Sequence, residues 1–167
     1  MNARLEVGVT GQNGHSEGGL TPAEEQSHFG LWCVISSPLT LSFDLANTTI
    51  MNRVWDFIAN PEALQVSQSW YGHPGTLVDE DKDNAGLGWM IWAKPQANSS
   101  VAVLLIAGEQ GLASSPPVLQ LSNFIEGPVD VRDIWGRKAL GQHTGAMGFE
   151  LGPHSSAFLL LSPAPAR

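Results

Sequence analysis

Residues 20–44 constrain the fold of this chain most, and they open with a well-marked helix start. Thr21 is a good N-cap, Pro22 suits the first helical position, and Glu24 can reach back to the cap as a capping-box carboxylate. Apolar residues then recur at helical spacing. The sequence therefore predicts an amphipathic helix whose broad apolar face lies against a core.

A strand and a second helix are expected directly after this helix. Pro38 ends the first helix, and residues 39–43 alternate in the manner of a short buried strand. Asp44 follows, and Asn47 or Thr48 can cap the next helix. This order is typical of an α/β unit, in which strand ends carry the chemistry. Asp44 is therefore a candidate site residue, although an Asp beside a helix start is more often a cap.

The second helix has one apolar face, and the first carries the only cysteine. Ile50, Val54 and Phe57 fall on one side of the second helix. Trp55 widens this face, so we expect its ring to pack in the core rather than to serve as an exposed platform on which a sugar could stack. Cys33 is expected to be a buried thiol, since no basic residue is near it along the helix.

The hydrophobic period changes from helical to strand-like after residue 86. Turn residues separate candidate strands at fairly regular spacing, which predicts an antiparallel β-sandwich. These candidates are residues 89–93, 101–107, 118–121, 129–134 and 157–161, with 149–151 as a further possibility. Trp89 and Trp92 are three residues apart, so they should face opposite sides of their strand.

An aromatic cluster lies between the helices and the strands. It consists of Trp70, Tyr71 and His73, beside a turn at Gly72. Such rings can stack on the apolar face of a sugar, or they can pack a domain junction. Both interpretations remain open at this point. The acidic residues 79–83 fit a solvated hairpin tip or linker.

Composition excludes several classes of protein. With 167 residues the chain is shorter than the roughly 200 or more that a complete α/β barrel needs. A net charge of -8 argues against nucleic acid or an anionic membrane as partner, and permits a neutral sugar. No apolar run could span a bilayer, and no signal-peptide pattern occurs at the amino terminus. Asn47 and Asn98 begin N-x-S/T sequons and are possible glycosylation sites.

Several longer stretches resemble the carboxyl-terminal part of the α-galactosidases of glycoside hydrolase family 27, the melibiase-like enzymes of clan D. The stretches that resemble the last barrel strands and helices are LEVG (5–8), GGLTPAEEQSHFGLW (18–32), SPLTLSFDL (37–45) and IANPEALQVSQ (58–68). Those that resemble the β domain after the barrel are VRDIWGRKALGQHTG (131–145) and LGPHSSAFLLL (151–161). The resemblance covers most of the chain in order.

The resemblance implies an α/β plus all-β fold with three regions. Residues 1–75 would be the carboxyl-terminal portion of a (β/α)8 barrel, 76–86 a linker or hairpin, and 87–167 an antiparallel sandwich. It also implies a retaining hydrolase of terminal α-galactosides that uses no metal or cofactor. Its partners would be a carbohydrate and the missing barrel half. Full-length relatives would be secreted or lysosomal or vacuolar, and the compartment of this chain is left open.

The same resemblance implies that this chain is inactive alone. Both catalytic aspartates of the family come from earlier barrel strands. Residues 2–4 read Asn-Ala-Arg where the family carries an Asp and a Met at the substrate. No residue of this chain is therefore expected to be catalytic, and Trp70, Tyr71, His73 and Asp44 are substrate-binding candidates. The alternative is a non-catalytic carbohydrate-binding or structural module.

Overall fold

The computed structural model describes residues 5–9, 19–81, 88–109 and 118–165. Three helices come first, and strands follow in the second half. The helices are α1 (Pro22–Val34), α2 (Thr48–Ile58) and α3 (Pro61–Gln68). The strands are β1 (Thr76–Glu80), β2 (Trp89–Pro95), β3 (Val101–Ala107), β4 (Val118–Gln120), β5 (Val129–Asp133), β6 (Lys138–His143), β7 (Ala146–Gly148) and β8 (Ser156–Pro163).

The described strands form two antiparallel sheets. The larger has six strands in the order β1-β2-β3-β8-β5-β6, and the smaller pairs β4 with β7. The long central strands β2, β3 and β8 are apolar and rich in branched residues, which favour a pleated, buried environment. The prediction of an antiparallel sandwich is thus confirmed.

Strand β3 is buried on both faces, which divides the core into two layers. Ala102 and Leu104 face the helices, whereas Val103 and Leu105 face the side of the small sheet. Trp92 packs with the helical layer and Trp89 with the other, as the spacing of these two residues predicts. The helices therefore cover one face of the large sheet, and the β4–β7 sheet covers the other.

Helix α1 starts with the expected capping box. The Glu24 N–H donates to Thr21 Oγ1 (3.3 Å), and the Thr21 N–H donates to Glu24 Oε2 (2.7 Å). The Thr21 N–H and the Thr21 hydroxyl (2.8 Å) both donate to the Glu24 carboxylate, and these two bonds hold the pKa of Glu24 below its usual value. Asn47 caps α2 and Asn60 caps α3 in a similar way, each through its side-chain oxygen.

The expected barrel strands are not observed among the described residues. Residues 39–43 form no ladder, and neither do residues 5–9. The Phe43 ring instead packs against the backbone of Gly8, since a Cβ on Gly8 would lie only 2.5 Å from Phe43 Cδ1. A strand needs a hydrogen-bonded neighbour. The alternating apolar side chains of residues 39–43 are partly or fully buried, but their backbone pairs with no described strand.

The strands differ from the sequence expectations in further details. Residues 76–80 of the region expected to be a linker or hairpin form β1, which pairs antiparallel with β2, and residues 82–87 lie outside the described residues. The strand considered at 149–151 is wrong, because the pairing partner of β4 is Ala146–Gly148. Strand β6 has no sequence signal, since nearly all of its residues are exposed and it lacks apolar alternation.

Trp55 is not a core residue, contrary to the expectation. It is 57% exposed, while Ile50, Val54 and Phe57 of the same helix are buried. Trp55 follows Val54 by one residue and is therefore about 100° around the helix from it. The core reaches only part of the apolar face that the sequence shows.

Candidate functional site

The aromatic cluster lies in a tight turn after α3. Trp70 is 61% and Tyr71 47% exposed, and His73 is exposed as well. Gly72 adopts φ +92°, which lets Tyr71 and His73 form a β-bridge across it. The turn fixes these three side chains at the exit of α3. That they bind substrate stays a prediction.

A groove of about 390 Å³ begins beside this turn. It runs between the end of α3, the connection from β2 to β3, and the strands β5 and β8. Tyr71 lines it, but Trp70 and His73 do not. The other lining residues are Glu62, Gln65, Val66, Ser69, Gln96, Ala97, Asn98, Ser100, Arg132, Ile134, Leu160 and Ser162.

An ion pair forms one wall of the groove. Arg132 donates from Nε to Glu62 Oε2 and from Nη2 to Glu62 Oε1, both at 2.6 Å. This bidentate pair joins α3 to β5. The hydrogen bonds with Glu62 raise the pKa of Arg132 above its usual value, so the guanidinium stays charged. The two charges neutralise each other at the surface of the groove.

A second wall, formed by the β2–β3 connection and Ser162 of β8, is polar and uncharged. Gln96 is nine-tenths buried, and its Nε2 donates to the carbonyl of Pro95 at 2.9 Å. The hydroxyls of Ser100 and Ser162 are 2.9 Å apart and share a hydrogen bond. Asn98 is exposed at the tip of the β2–β3 connection with φ +56°. This wall can donate to and accept from hydroxyl groups.

Asp44 does not belong to the groove. Its carboxylate accepts a hydrogen bond from the Ala46 N–H at 2.9 Å, and its carbonyl accepts one from the Asn47 N–H at 3.0 Å. The residue is exposed and forms the turn before α2. No strand precedes it, so the argument that placed it at a strand end does not hold. Its carboxylate stabilises the turn that precedes Asn47, the cap of α2, and substrate binding by Asp44 stays a prediction.

The two sequon asparagines occupy different environments. Asn47 uses its Oδ1 to accept from the N–H groups of Thr49 and Ile50 at the start of α2. Asn98 lies in the exposed turn at the mouth of the groove. Glycosylation of either residue stays a prediction.

Many of the described carboxylates are already engaged. Glu62 is the one carboxylate among the lining residues of the groove. Within residues 5–9, 19–81, 88–109 and 118–165, no three His, Cys, Asp or Glu side chains are grouped so that they could hold a metal ion. Ion pairs join Glu25 to Arg53, Glu62 to Arg132, Asp56 to Arg137 and Asp133 to Lys138.

Lys94 contacts Val66, one of the residues that line the groove, and this role was not anticipated from the sequence. It is fully buried, and its Nζ donates to the carbonyls of Val66 and Ser67 near the end of α3. A cation at this end of a helix is favourable. Burial lowers the pKa of Lys94 and raises that of nearby Cys33 to about 12. The sequence signal that could have predicted this buried cation was a single lysine within the apolar strand β2.

Comparison with known proteins gives this architecture a family context. Residues 88–161 match the family described as the alpha galactosidase C-terminal beta sandwich domain. An α-galactosidase from Cyamopsis tetragonoloba is 26% identical over 147 residues, which cover 87% of this chain and 34% of that protein. One from Oryza sativa is 28% identical over 149 residues, which cover 87% of this chain and 33% of that protein.

The chain is related to the carboxyl-terminal part of the family 27 α-galactosidases. It spans about a third of the length of these relatives. Their match also takes in more than the β domain, since it covers 87% of the chain.

Solved structures show the same fold. Alpha-galactosidase I from Mortierella vinacea superposes with a TM-score of 0.74 at 22% identity, over 87% of this chain and 37% of that one. A GH27 β-L-arabinopyranosidase from Geobacillus stearothermophilus superposes with a TM-score of 0.76 at 24% identity, over 99% of this chain and 37% of that one. The helices and the sheets therefore recur as one arrangement within larger proteins.

None of the helices among the described residues of this chain is both long and apolar enough to cross a membrane.

Proposed function

We propose that this chain is the carboxyl-terminal part of a retaining glycoside hydrolase that releases terminal α-galactosyl units without a metal or cofactor. The observation that carries the proposal is the match of residues 88–161 to the C-terminal domain of α-galactosidases. Residues 1–75 would then be the last part of the catalytic barrel, and the remainder of that barrel would be the partner of these residues.

We further propose that the chain does not catalyse hydrolysis by itself. A retaining glycosidase needs two carboxyl groups about 5–5.5 Å apart, one as nucleophile and one as acid and base. In the described residues the groove has a single carboxylate, Glu62, and that carboxylate is held by Arg132. No second carboxyl group of a described residue lines the groove to complete such a pair, and both oxygens of Glu62 already accept hydrogen bonds from Arg132.

The substrate class follows from the curated relatives rather than from the fold. The relatives from Cyamopsis tetragonoloba and Oryza sativa are α-galactosidases, whereas one structural neighbour is a β-L-arabinopyranosidase. Galactose and arabinose pyranosides differ at the substituent on C5. We propose an α-galactoside, and a β-L-arabinopyranoside is the competing outcome.

The test compares this chain with the product of the same reading frame extended upstream of Met1. Both are assayed on p-nitrophenyl α-D-galactopyranoside and on p-nitrophenyl β-L-arabinopyranoside. We expect turnover of the galactoside by the longer product only. Turnover by the 167-residue chain would disprove its inactivity. Preference of the longer product for the arabinoside would disprove the substrate, and no turnover of either glycoside would count against the hydrolase.

A further inference from the structure

We propose that the groove between α3, the β2–β3 connection and strands β5 and β8 binds one neutral pyranose unit. This inference goes beyond the proposed hydrolase, because it assigns ligand binding to residues that perform no bond cleavage. It rests on the shape, charge and lining of the groove and does not require the proposed function to be correct.

The size of the groove suits a small ligand. Its volume of about 390 Å³ lies within the range of about 300–1,000 Å³ that is typical of small-molecule sites. The buried side chains of Val66 and Ile134 line it, together with Leu160. A lining of this kind, with a few convergent polar groups, is the usual composition of a ligand pocket.

The charges in the groove favour a neutral ligand. Arg132 and Glu62 cancel each other, and none of the other lining residues is Asp, Glu, Lys or Arg. The pair still has capacity for hydrogen bonds: Arg132 Nη1 donates to none of the described residues, and each carboxylate oxygen can accept a further bond. Adjacent hydroxyl groups of a sugar can meet both members of such a pair.

The remaining polar groups match a polyol. Amide side chains come from Gln65, Gln96 and Asn98, and hydroxyl side chains come from Ser69, Ser100 and Ser162. Each of these groups can both donate and accept. The buried state of Gln96 shows that part of this wall is built into the core rather than scattered on the surface.

Tyr71 completes the site at its rim. Its ring is half exposed and lines the groove, so it offers an apolar surface to a ligand there. The apolar face of a pyranose is a suitable cover. The turn at Gly72 and the bridge to His73 hold the backbone of Tyr71 in place before a ligand arrives.

The experiment is an NMR titration of the complete 167-residue chain with D-galactose. We expect shifts at backbone amides of the β2–β3 connection and of residues 69–71, with saturation below about 50 mM. Sodium galacturonate, which has the same ring with a carboxylate, should bind more weakly because the chain carries a net charge of -8. Equal or tighter binding of galacturonate would disprove the argument from charge.

Two variants and one control locate the binding. Tyr71→Ala should weaken galactose binding about three- to tenfold, as expected for loss of one aromatic contact. Asn98→Gly removes the amide but keeps the positive φ of this turn, and it should also weaken binding. Trp55→Ala is the control, since Trp55 is a similarly exposed tryptophan that does not line the groove, and the affinity of this variant should be unchanged.

Four results would overturn the proposal: no shifts at about 50 mM galactose, galacturonate binding as tight as galactose binding, unchanged affinity in Tyr71→Ala, or an equal loss in Trp55→Ala. The last result would show that the loss of affinity does not arise at the groove. Because this titration needs no turnover, its failure leaves the hydrolase proposal standing. Failure of the turnover assay likewise leaves the titration result valid.

Discussion

Glu25 shows how a single buried carboxylate can join distant parts of this chain. It has no exposed surface, and its oxygens accept from the Gly8 N–H at 2.8 Å and from two nitrogens of Arg53. Arg53 is on α2, and its side chain remains 34% exposed. The pair therefore ties α1 to α2 and to the segment at residues 5–9.

We expect Arg53→Met to lower the free energy of unfolding by about 3 kcal/mol, since it leaves the Glu25 carboxylate buried without its cation. This value is at the lower end of the range for such changes because Arg53 is partly exposed. The measurement is urea unfolding followed by tryptophan fluorescence. The double variant Glu25→Gln/Arg53→Met should recover part of the loss.

Arg137→Met provides the matched control for this substitution. Arg137 pairs with Asp56, whose side chain is 87% exposed, so the loss should be only about 0–1 kcal/mol. Equal losses at Arg53 and Arg137 would mean that burial does not set the strength of these pairs.

At the scale of elements, the caps of α2 and α3 differ in what else they bind. Both Asn47 and Asn60 accept from two N–H groups of their own helix. Asn60 is also buried, and its Nδ2 donates to the Ile134 carbonyl at 2.8 Å. Asn60 thus connects the start of α3 to the residue after β5, whereas Asn47 serves its own helix.

We predict that Asn60→Ala costs about 2–3 kcal/mol, because it removes a cap and one of the two donors to the Ile134 carbonyl, which also accepts from the Arg137 N–H. Asn47→Ala is the control and should cost about 1 kcal/mol, the value of a cap alone. Thermal unfolding followed by circular dichroism measures both. A cost for Asn60→Ala no larger than that for Asn47→Ala would show that the bond to Ile134 contributes nothing.

At the scale of the whole molecule, helices and sheet share one layer of core. Cys33 is buried in α1, in the same cluster as Leu104 of β3 and Phe158 of β8. The helical region cannot separate from the sheet without exposing this layer to water. A thiol in such a position reports on the opening of the molecule, because burial raises its pKa to about 12 and suppresses the reactive thiolate.

We expect labelling of Cys33 by a thiol reagent at pH 8 to follow unfolding of the complete molecule. Its midpoint in urea should coincide with that of the tryptophan fluorescence. Leu104→Ala, which empties a buried position, should raise the labelling rate in water about a hundredfold through a loss of about 3 kcal/mol.

Leu140→Ala is the control for this experiment, since Leu140 is 36% exposed on β6, and it should leave the rate nearly unchanged. Labelling well below the unfolding midpoint would instead show that α1 detaches from the sheet independently.

The sequence by itself determined the features that depend on neighbouring residues along the chain. The starts of α1 and α2 follow from Thr21 and Asn47, because capping is a local interaction. Strands β2, β3 and β8 follow from apolar runs long enough to be buried whatever their partners.

Tertiary structure alone decided the features that depend on what lies across the core. Residues 39–43 have a strand pattern but no partner among the described residues, and Trp55 is apolar but lies beyond the reach of the core. The groove joins Glu62 of α3 to Arg132 of β5, which are 70 residues apart, and no local pattern encodes that meeting. Hydrophobic period specifies which side chains can be buried, whereas contact between distant elements decides which of them are.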